Sequence, residues 1–186
     1  RIAAIVPVHI FGTPAKIIEL KEIAHQWNIP LVEDAAEALG SWVKDGNQLK
    51  HCGSFGMASI ISFNGNKIIS TGGGGIIITN DKILASKAKH YSTTAKIKHQ
   101  WAFIHDEIGW NDRLPNINAA LGVSQMEVLK ERLFLKRKLF NYYSKILSKV
   151  DGLELMKKPI NCESNHWLIS IRLTGEYTKE ELKKLR

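Results

Sequence analysis

The chain has 186 residues, of which 44% are hydrophobic and 24% charged, and this composition is ordinary for a soluble globular protein. No apolar stretch approaches the ~18 uninterrupted residues that a membrane-spanning helix needs, so no membrane partner is expected. The net charge of +8 would attract anions. Much of it lies in residues 127–149, where helical apolar spacing favours a solvated helix face over a nucleic-acid surface.

The two ends of the chain and its cysteines set further expectations. The chain begins with Arg1 before an apolar run and ends in YTKEELKKLR, which is typical of the start of a helix. We therefore expect a fragment truncated at both ends, and no signal peptide, because no basic leader precedes the apolar run. Cys52 and Cys162 have neither metal spacing nor a CxxC pattern, so we expect no metal and free thiols in a reducing cytoplasm.

The first part of the chain alternates between strand and helix. The β-branched run Ile2 to Ile10 predicts a buried strand, and Ala15 to Trp27 has the apolar spacing of a helix. Leu31 to Asp34 predicts a second short strand. Because this strand–helix–strand order is typical of α/β folds, we expect a mostly parallel sheet flanked by helices in three layers.

A pair of strands and a capped helix follow. Ala58 to Phe63 and Gly75 to Thr79 predict strands on either side of a glycine-rich loop. Asp81 to Tyr91 predicts a helix, with Asn80 or Asp81 as its N-cap.

The remaining segments give weaker patterns. Residues 44–50 predict a polar turn, and residues 92–108 have no clear period, which indicates a loop. From Asn116 onward the pattern predicts a long helical region. Leu153 to Met156 and His166 to Leu173 predict strands of a second, smaller layer.

The segment SFNGNKIISTGGGG, residues 62–75, is a candidate for ligand chemistry. Its four consecutive glycines allow a backbone to approach a ligand closely, but its lysine precedes them, unlike the lysine of a Walker motif. Lys67 is followed by Ile68 and Ile69, and partial desolvation would make its amine a usable nucleophile. An ordinary exposed lysine is the more frequent situation, and these residues alone leave both interpretations open.

Two further segments carry polar residues at places that suit a ligand. Asp34, in VEDAAEALGS, ends an apolar strand, and open α/β sheets bind ligands at the carboxyl ends of their strands. The alternative is that Asp34 caps a helix starting at Ala35. Asn111 and Arg113, in GWNDRLPNINAALG, precede a helix and could bind an anion, but on these residues alone a simple capped loop is the better explanation.

Taken together and in this order, these motifs resemble the DegT/DnrJ/StrS family of sugar aminotransferases, which depend on pyridoxal 5'-phosphate (PLP). The resemblance rests on VPVHIFG, EDAAEALGS, SFNGNK, the glycine-rich turn and GWNDR before AALG, and it covers residues 5–137. The form SFNGNKIISTGGGG is most similar to the branch that acts on UDP-linked 4-keto-6-deoxy amino sugars, as in bacillosamine and legionaminic acid pathways.

The resemblance implies a fold and a division of the chain. The fold would be α/β, that of PLP-dependent transferases of type I, the aspartate aminotransferase-like class. Residues 1–124 would be the C-terminal part of the three-layer αβα large domain that binds PLP. Residues 125–186 would be the truncated start of a small α+β domain.

The resemblance also implies roles for single residues. Lys67 would hold PLP covalently through its amine, and Asp34 would keep the pyridine nitrogen protonated, so that the ring acts as an electron sink. Glu37 would lie beside the cofactor ring, and Ser62 would bind the cofactor phosphate. Asn111 would reach the phosphate of the PLP in a neighbouring subunit, which implies a homodimer with shared active sites.

His9 and Arg113 would lie at the substrate side of the same site, although His9 could equally be structural. A nucleotide-linked keto sugar would be aminated, with glutamate as the expected donor. Lys67 favours transamination, because one branch of the family has histidine at this position and performs dehydration. We expect the isolated 186-residue chain to be inactive, since parts of the family's active site are missing.

Two alternatives from other classes remain. A catalytically silent homologue that binds PLP or a sugar nucleotide would typically have lost Lys67, which is present here. An α/β domain that binds anions or nucleic acid is supported only by the net charge of +8 and predicts strongly salt-dependent binding.

Overall fold

The computed structural model describes residues 2–175 and 179–184. A short 3₁₀ turn at Ile10–Gly12 precedes the first helix. The other elements follow in this order along the chain: α1 (Ile17–Gln26), β1 (Val32–Asp34), β2 (Trp42–Asp45), β3 (Gln48–His51), β4 (Ala58–Ser62), β5 (Gly75–Ile78), α2 (Lys82–Ser92), β6 (Lys96–Ile97), β7 (Ile104–His105), α3 (Asn116–Glu127), α4 (Leu129–Leu147), β8 (Leu153–Leu155), β9 (Cys162–Glu163), β10 (Ile171–Leu173) and α5 (Lys179–Lys184).

The sheet that organises the fold has the order β1–β4–β5. β1 and β4 are parallel, with Asp34 opposite Ile60, whereas β5 runs antiparallel to β4. The prediction of one continuous strand from Ile2 to Ile10 is wrong. This segment pairs with the β1 region only through parallel bridges at Ile5 and Val8. Between the two bridges lies Pro7, which has no N–H to give to a ladder.

The main core lies between α1 and this sheet. Ile17 and Ala24 on α1 are buried together with Leu31 and Ile61 in one apolar cluster. The prediction of α1 from its apolar spacing is confirmed. Asp81 is confirmed as the N-cap of α2, because its carboxylate accepts hydrogen bonds from the N–H groups of the helix's second and third residues.

A second sheet, of order β3–β2–β9, was not expected. The segment predicted as a polar turn is the tip of the β2–β3 hairpin, in which Trp42 lies opposite His51. On the other side of β2, Val43 lies opposite Cys162 of β9. The C-terminal part of the chain therefore returns to the core that the first 60 residues build. The segment at 92–108, predicted as a loop, contains the small hairpin β6–β7.

The remainder of the chain is helical and then irregular. The predicted long helical region is two helices, α3 and α4, separated at Val128. The division of the chain into domains near residue 125 stays a prediction. The strand prediction at 153–156 is confirmed by β8, which pairs antiparallel with β10. At 166–173 only β10 is a strand; residues 167 and 168 form a bend, and His166 and Trp167 are buried.

The predicted C-terminal helix is present as α5 within the range 179–184, and the rest of that prediction lies outside the described residues. Among the helices of ranges 2–175 and 179–184, none is long and apolar enough to cross a membrane.

Candidate active site

Asp34 and Ser62 lie at the same edge of the sheet. β1 and β4 are parallel neighbours, Asp34 is opposite Ile60, and Ser62 follows two residues further along β4. No helix begins at Ala35, so the capping alternative for Asp34 is wrong. One carboxylate oxygen of Asp34 accepts a hydrogen bond from the N–H of Ala36 at 3.1 Å. No cation of the described residues lies within 4 Å of this carboxylate.

Lys67 lies beside Glu37 in a half-enclosed position. Its Nζ is 3.3 Å from Oε1 of Glu37, and its side chain is only 13% exposed. The second carboxylate oxygen of Glu37 accepts a hydrogen bond from the N–H of Phe11 at 2.7 Å. Because both oxygens have partners, the carboxylate is fixed toward the amine. The structure therefore brings together two of the residues that the sequence singled out.

The glycine-rich loop holds Lys67 in this position. The loop is closed by backbone hydrogen bonds from Phe63 to Gly74 and from Thr71 to Phe63, each 2.9 Å long. Ile68 and Ile69 are buried directly after the lysine, in a small cluster of their own. The two apolar side chains anchor the backbone of the loop, and the amine at Lys67 is left between protein and solvent.

A buried carboxylate that the sequence analysis did not single out lies one residue before Asp34. Glu33 has no exposed surface. One of its oxygens accepts hydrogen bonds from His9 Nε2 and the N–H of Gly53, and the other accepts from the N–H groups of Phe55 and Gly56. Burial opposes ionisation of Glu33, but the hydrogen bonds from His9 and the backbone outweigh it, and its pKa is lowered.

His9 has no exposed surface, and both of its ring nitrogens have partners within the chain. Nδ1 accepts a hydrogen bond from the N–H of Ala15 at 3.1 Å, so Nε2 carries the proton that it donates to Glu33 at 3.0 Å. This geometry favours the structural alternative for His9 over contact with a substrate. The pair joins the segment before α1 to β1 and the loop that precedes β4.

Asn111 and Arg113 line a different surface. With the β6 residues Lys96 and Ile97 they border a groove of about 610 Å³, and both are exposed. Within the described ranges, no hydrogen bond or ion pair connects them to Lys67 or the residues around it. The described residues thus leave them apart from the Lys67 site of the same chain. The role of Asn111 in a neighbouring subunit and the role of Arg113 at the substrate side both stay predictions.

Trp167 is a site residue that the sequence analysis missed. The centroid of its ring lies 4.1 Å from Nζ of Lys67. The signal in the sequence is the run SNHW at residues 164–167, in which three polar residues and an aromatic one overlap the start of the strand predicted at 166–173. That run is buried against the core, with Asn165 at 2% exposure and Trp167 at 7%.

These residues fit PLP in the chemistry of their donors. PLP needs an amine that anchors it, a carboxylate for its ring nitrogen and hydrogen-bond donors for its phosphate. The half-enclosed Lys67 amine, the Asp34 carboxylate and the Ser62 hydroxyl are groups of these three kinds. Asp34 and Ser62 share the edge of the sheet from which the Lys67 loop continues.

The chain belongs to the DegT/DnrJ/EryC1/StrS aminotransferase family, whose model matches residues 1–185. EpsN of Bacillus subtilis (strain 168), described as a pyridoxal phosphate-dependent aminotransferase, is 39% identical over 91% of this chain and 42% of its own length. GDP-perosamine synthase of Escherichia coli O157:H7 is 35% identical over 97% of this chain and 48% of its own length. Other relatives are named as transaminases of a UDP-linked and a dTDP-linked amino sugar.

The solved structure of the aminotransferase TlmJ from Streptoalloteichus hindustanus matches with a TM-score of 0.83 and 30% identity. The match covers 91% of this chain and 46% of that one. The predicted α/β fold of type I PLP-dependent transferases is therefore confirmed. The chain spans less than half the length of EpsN and of this GDP-perosamine synthase.

Proposed function

We propose that the whole protein to which this chain contributes transfers an amino group to the keto group of a nucleotide-linked sugar, with PLP as its cofactor. The observation that carries this proposal is the amine of Lys67, held 3.3 Å from Glu37 beside the sheet edge where Asp34 and Ser62 lie. A lysine amine in such a half-enclosed position can serve as both an anchor and a base.

PLP supplies an electron sink when bound, and it stabilises negative charge on the carbon next to the transferred nitrogen. Lys67 would anchor the cofactor through its amine, and the free amine would act as the base and acid that moves a proton between two carbons. Asp34 would hold the ring nitrogen through its carboxylate. Ser62 would donate its hydroxyl hydrogen to the phosphate, and Glu37 would orient the Lys67 amine.

For the substrate we propose a UDP-linked 4-keto-6-deoxy-N-acetylhexosamine, with glutamate as the amino donor. Support comes from the similarity of SFNGNKIISTGGGG to the branch that uses such sugars. The relatives' names include GDP-, UDP- and dTDP-linked sugars, so the assay must compare the three nucleotides. Synthesis of a surface polysaccharide or another glycan would use the product.

A homodimer with shared active sites is part of the proposal. Asn111 and Arg113 lie exposed, away from Lys67 of their own chain, as groups that complete a partner's site would. We propose the cytoplasm as the location. In support, Cys52 and Cys162 are both buried free thiols, a state that suits a reducing compartment.

The test is a visible absorption spectrum of the whole protein with PLP, compared with its Lys67→Ala variant. The parent should show a band that borohydride locks as a mass increase on the peptide containing Lys67, and the variant should lack both. Lys82→Ala, which removes an exposed lysine of α2, serves as the control and should behave as the parent. Absence of the band at saturating PLP would overturn the proposal.

Turnover is measured next, with glutamate and keto sugars linked to UDP, GDP or dTDP. Product from one of these substrates, lost in Lys67→Ala, supports the aminotransferase. A normal band without turnover of any of the three would instead indicate the catalytically silent homologue.

A further inference from the structure

The ring of Trp167 and the carboxylate of Glu37 contact the same amine. Nζ of Lys67 lies 4.1 Å from the centroid of the ring and 3.3 Å from Oε1 of Glu37. An aromatic face attracts a protonated amine and has little attraction for a neutral one. We propose, resting on the proposed function, that Trp167 is a positioning residue that holds the free, protonated Lys67 amine beside Glu37.

The position of Trp167 is fixed by one hydrogen bond from its ring and two that involve its backbone. Its Nε1–H donates to the carbonyl of Asn66, directly before the lysine, at 2.7 Å. The backbone N–H of Trp167 donates to the side chain of Asn165 at 2.8 Å, and its carbonyl accepts from Lys136 at 3.0 Å. Since the ring is also packed with Ile68 and Ile69, turning it away from the amine would break its bond to Asn66 and this packing.

Asn165 connects the two groups that contact the amine. Its side-chain amide donates to the carbonyls of Glu37 at 2.7 Å and Leu39 at 2.9 Å, and the same side chain accepts from the N–H of Trp167. A single buried amide therefore sets the distance between the backbone that carries the carboxylate and the backbone that carries the ring. This arrangement is a cradle for an ammonium group, with a carboxylate and an aromatic face as its walls.

A lysine side chain that is free to move would transfer protons slowly, because its amine would seldom be in the right position. Proton transfer needs the amine within hydrogen-bond reach of the reacting carbon, and holding a group in place contributes directly to the rate. The ring acts on the protonated amine, which is the form that returns a proton to the substrate. Loss of the ring is therefore expected to slow the transfer by about 3- to 30-fold, the range of a partly buried cation–π contact.

The experiment uses the whole protein with Trp167→Leu, which removes the ring, and Trp167→Phe, which keeps an aromatic face but cannot bond to Asn66. Trp27→Leu is the control, because Trp27 is 68% exposed. The first readout is the single-turnover rate of amino transfer from glutamate. Trp167→Leu should lower this rate about 3- to 30-fold and change the apparent donor affinity less than about twofold, whereas Trp167→Phe should recover most of the rate.

The second readout does not depend on the loaded enzyme. In the cofactor-free protein, Lys67 is labelled with trinitrobenzenesulfonate at a fixed pH, and the labelled peptide is quantified over time. Trp167→Leu should label about threefold faster or more, because the amine has lost its aromatic cover, while Trp167→Phe and Trp27→Leu should match the parent.

Equal labelling of Lys67 in the parent and in Trp167→Leu would overturn the inference. So would a Trp167→Phe variant that is as slow as Trp167→Leu, because the bond to Asn66, not the ring, would then matter. If Trp167→Leu does not fold, Trp167→Phe and Trp167→Tyr decide by whether their rates and labelling stay near those of the parent. Failure of the parent to bind PLP would refute the proposed function, and labelling would still report the contact.

Discussion

Replacement of Glu33 by Gln tests how much the hydrogen bonds accepted by this buried carboxylate stabilise the fold. The carboxylate accepts four hydrogen bonds, two on each oxygen, and has no exposed surface. Gln keeps one acceptor oxygen and puts an amide N–H₂ where the other stood. In one orientation the donors of His9 and Gly53 lose their acceptor, and in the other those of Phe55 and Gly56 do.

Each buried donor left without an acceptor costs about 1–3 kcal/mol, so Glu33→Gln should lower the free energy of unfolding by about 2–6 kcal/mol. The measurement is urea denaturation of parent and variant at pH 7. Glu163→Gln is the matched control, because Glu163 is about half exposed and its nearest cation, Arg137, is 3.8 Å away. The control should stay within about 0.5 kcal/mol of the parent.

The pH dependence gives a second check. The pKa of Glu33 is lowered below 4.5, because hydrogen bonds from His9 and the backbone outweigh the opposing effect of burial. The stability that this carboxylate contributes is therefore present above pH 4.5 and is lost as the pH falls through the lowered pKa. The difference in the free energy of unfolding between the parent and Glu33→Gln should therefore narrow as the pH falls below 4.5. A loss below 1 kcal/mol at pH 7 would refute the reasoning, as would a gap that stays constant with pH.

Two further predictions concern the C-terminal segment that packs on the core. Gly12 has a φ of +79°, and Gly12→Ala would place a Cβ 1.7 Å from the side-chain oxygen of Asn165. The substitution should therefore lower the free energy of unfolding, measured by thermal denaturation, by about 2–4 kcal/mol. Gly46→Ala, with a φ of +59° and open space, should cost only about 1 kcal/mol, and equal losses would contradict the prediction.

Burial lowers the pKa of His166 from 6.5 to about 4. As the pH drops, His166 is therefore protonated in the unfolded chain before it is protonated in the folded one. The free energy of unfolding should fall between pH 6.5 and about pH 4. His166→Gln should remove this slope from a series of denaturation curves, and an unchanged slope would show that other groups cause it.

Patterns in the sequence predict the helices that depend on interactions between residues close together in the chain. α1 follows from its apolar spacing, and α2 follows from the same spacing together with the Asp81 cap. Asp34, Glu37 and Lys67 were singled out through motifs whose order along the chain is specific. Their predicted roles toward the cofactor remain predictions, which the absorption experiment tests.

Long-range contacts explain what the sequence analysis missed. The β2–β3 hairpin resembles a polar turn, because its identity as part of a sheet depends on Val43 pairing with Cys162 far along the chain. In the sequence, Glu33 looks like an ordinary polar residue of a strand. Its burial becomes evident only in the folded chain, where N–H groups of the loop at 53–56 donate to its carboxylate. Trp167 contacts the lysine loop across 101 residues of sequence, a separation that no local period reveals.

The connection through Asn165 also has a consequence for biosynthesis. The amide of Asn165 binds the carbonyl of a residue 128 positions earlier in the chain. At ~5–20 residues per second, the ribosome needs roughly 6–26 s to make the residues between them. During that interval Lys67 is synthesised while Trp167, one of the two residues that contact its amine, is still absent. The amine therefore gains its contact with the Trp167 ring only after translation has passed residue 167.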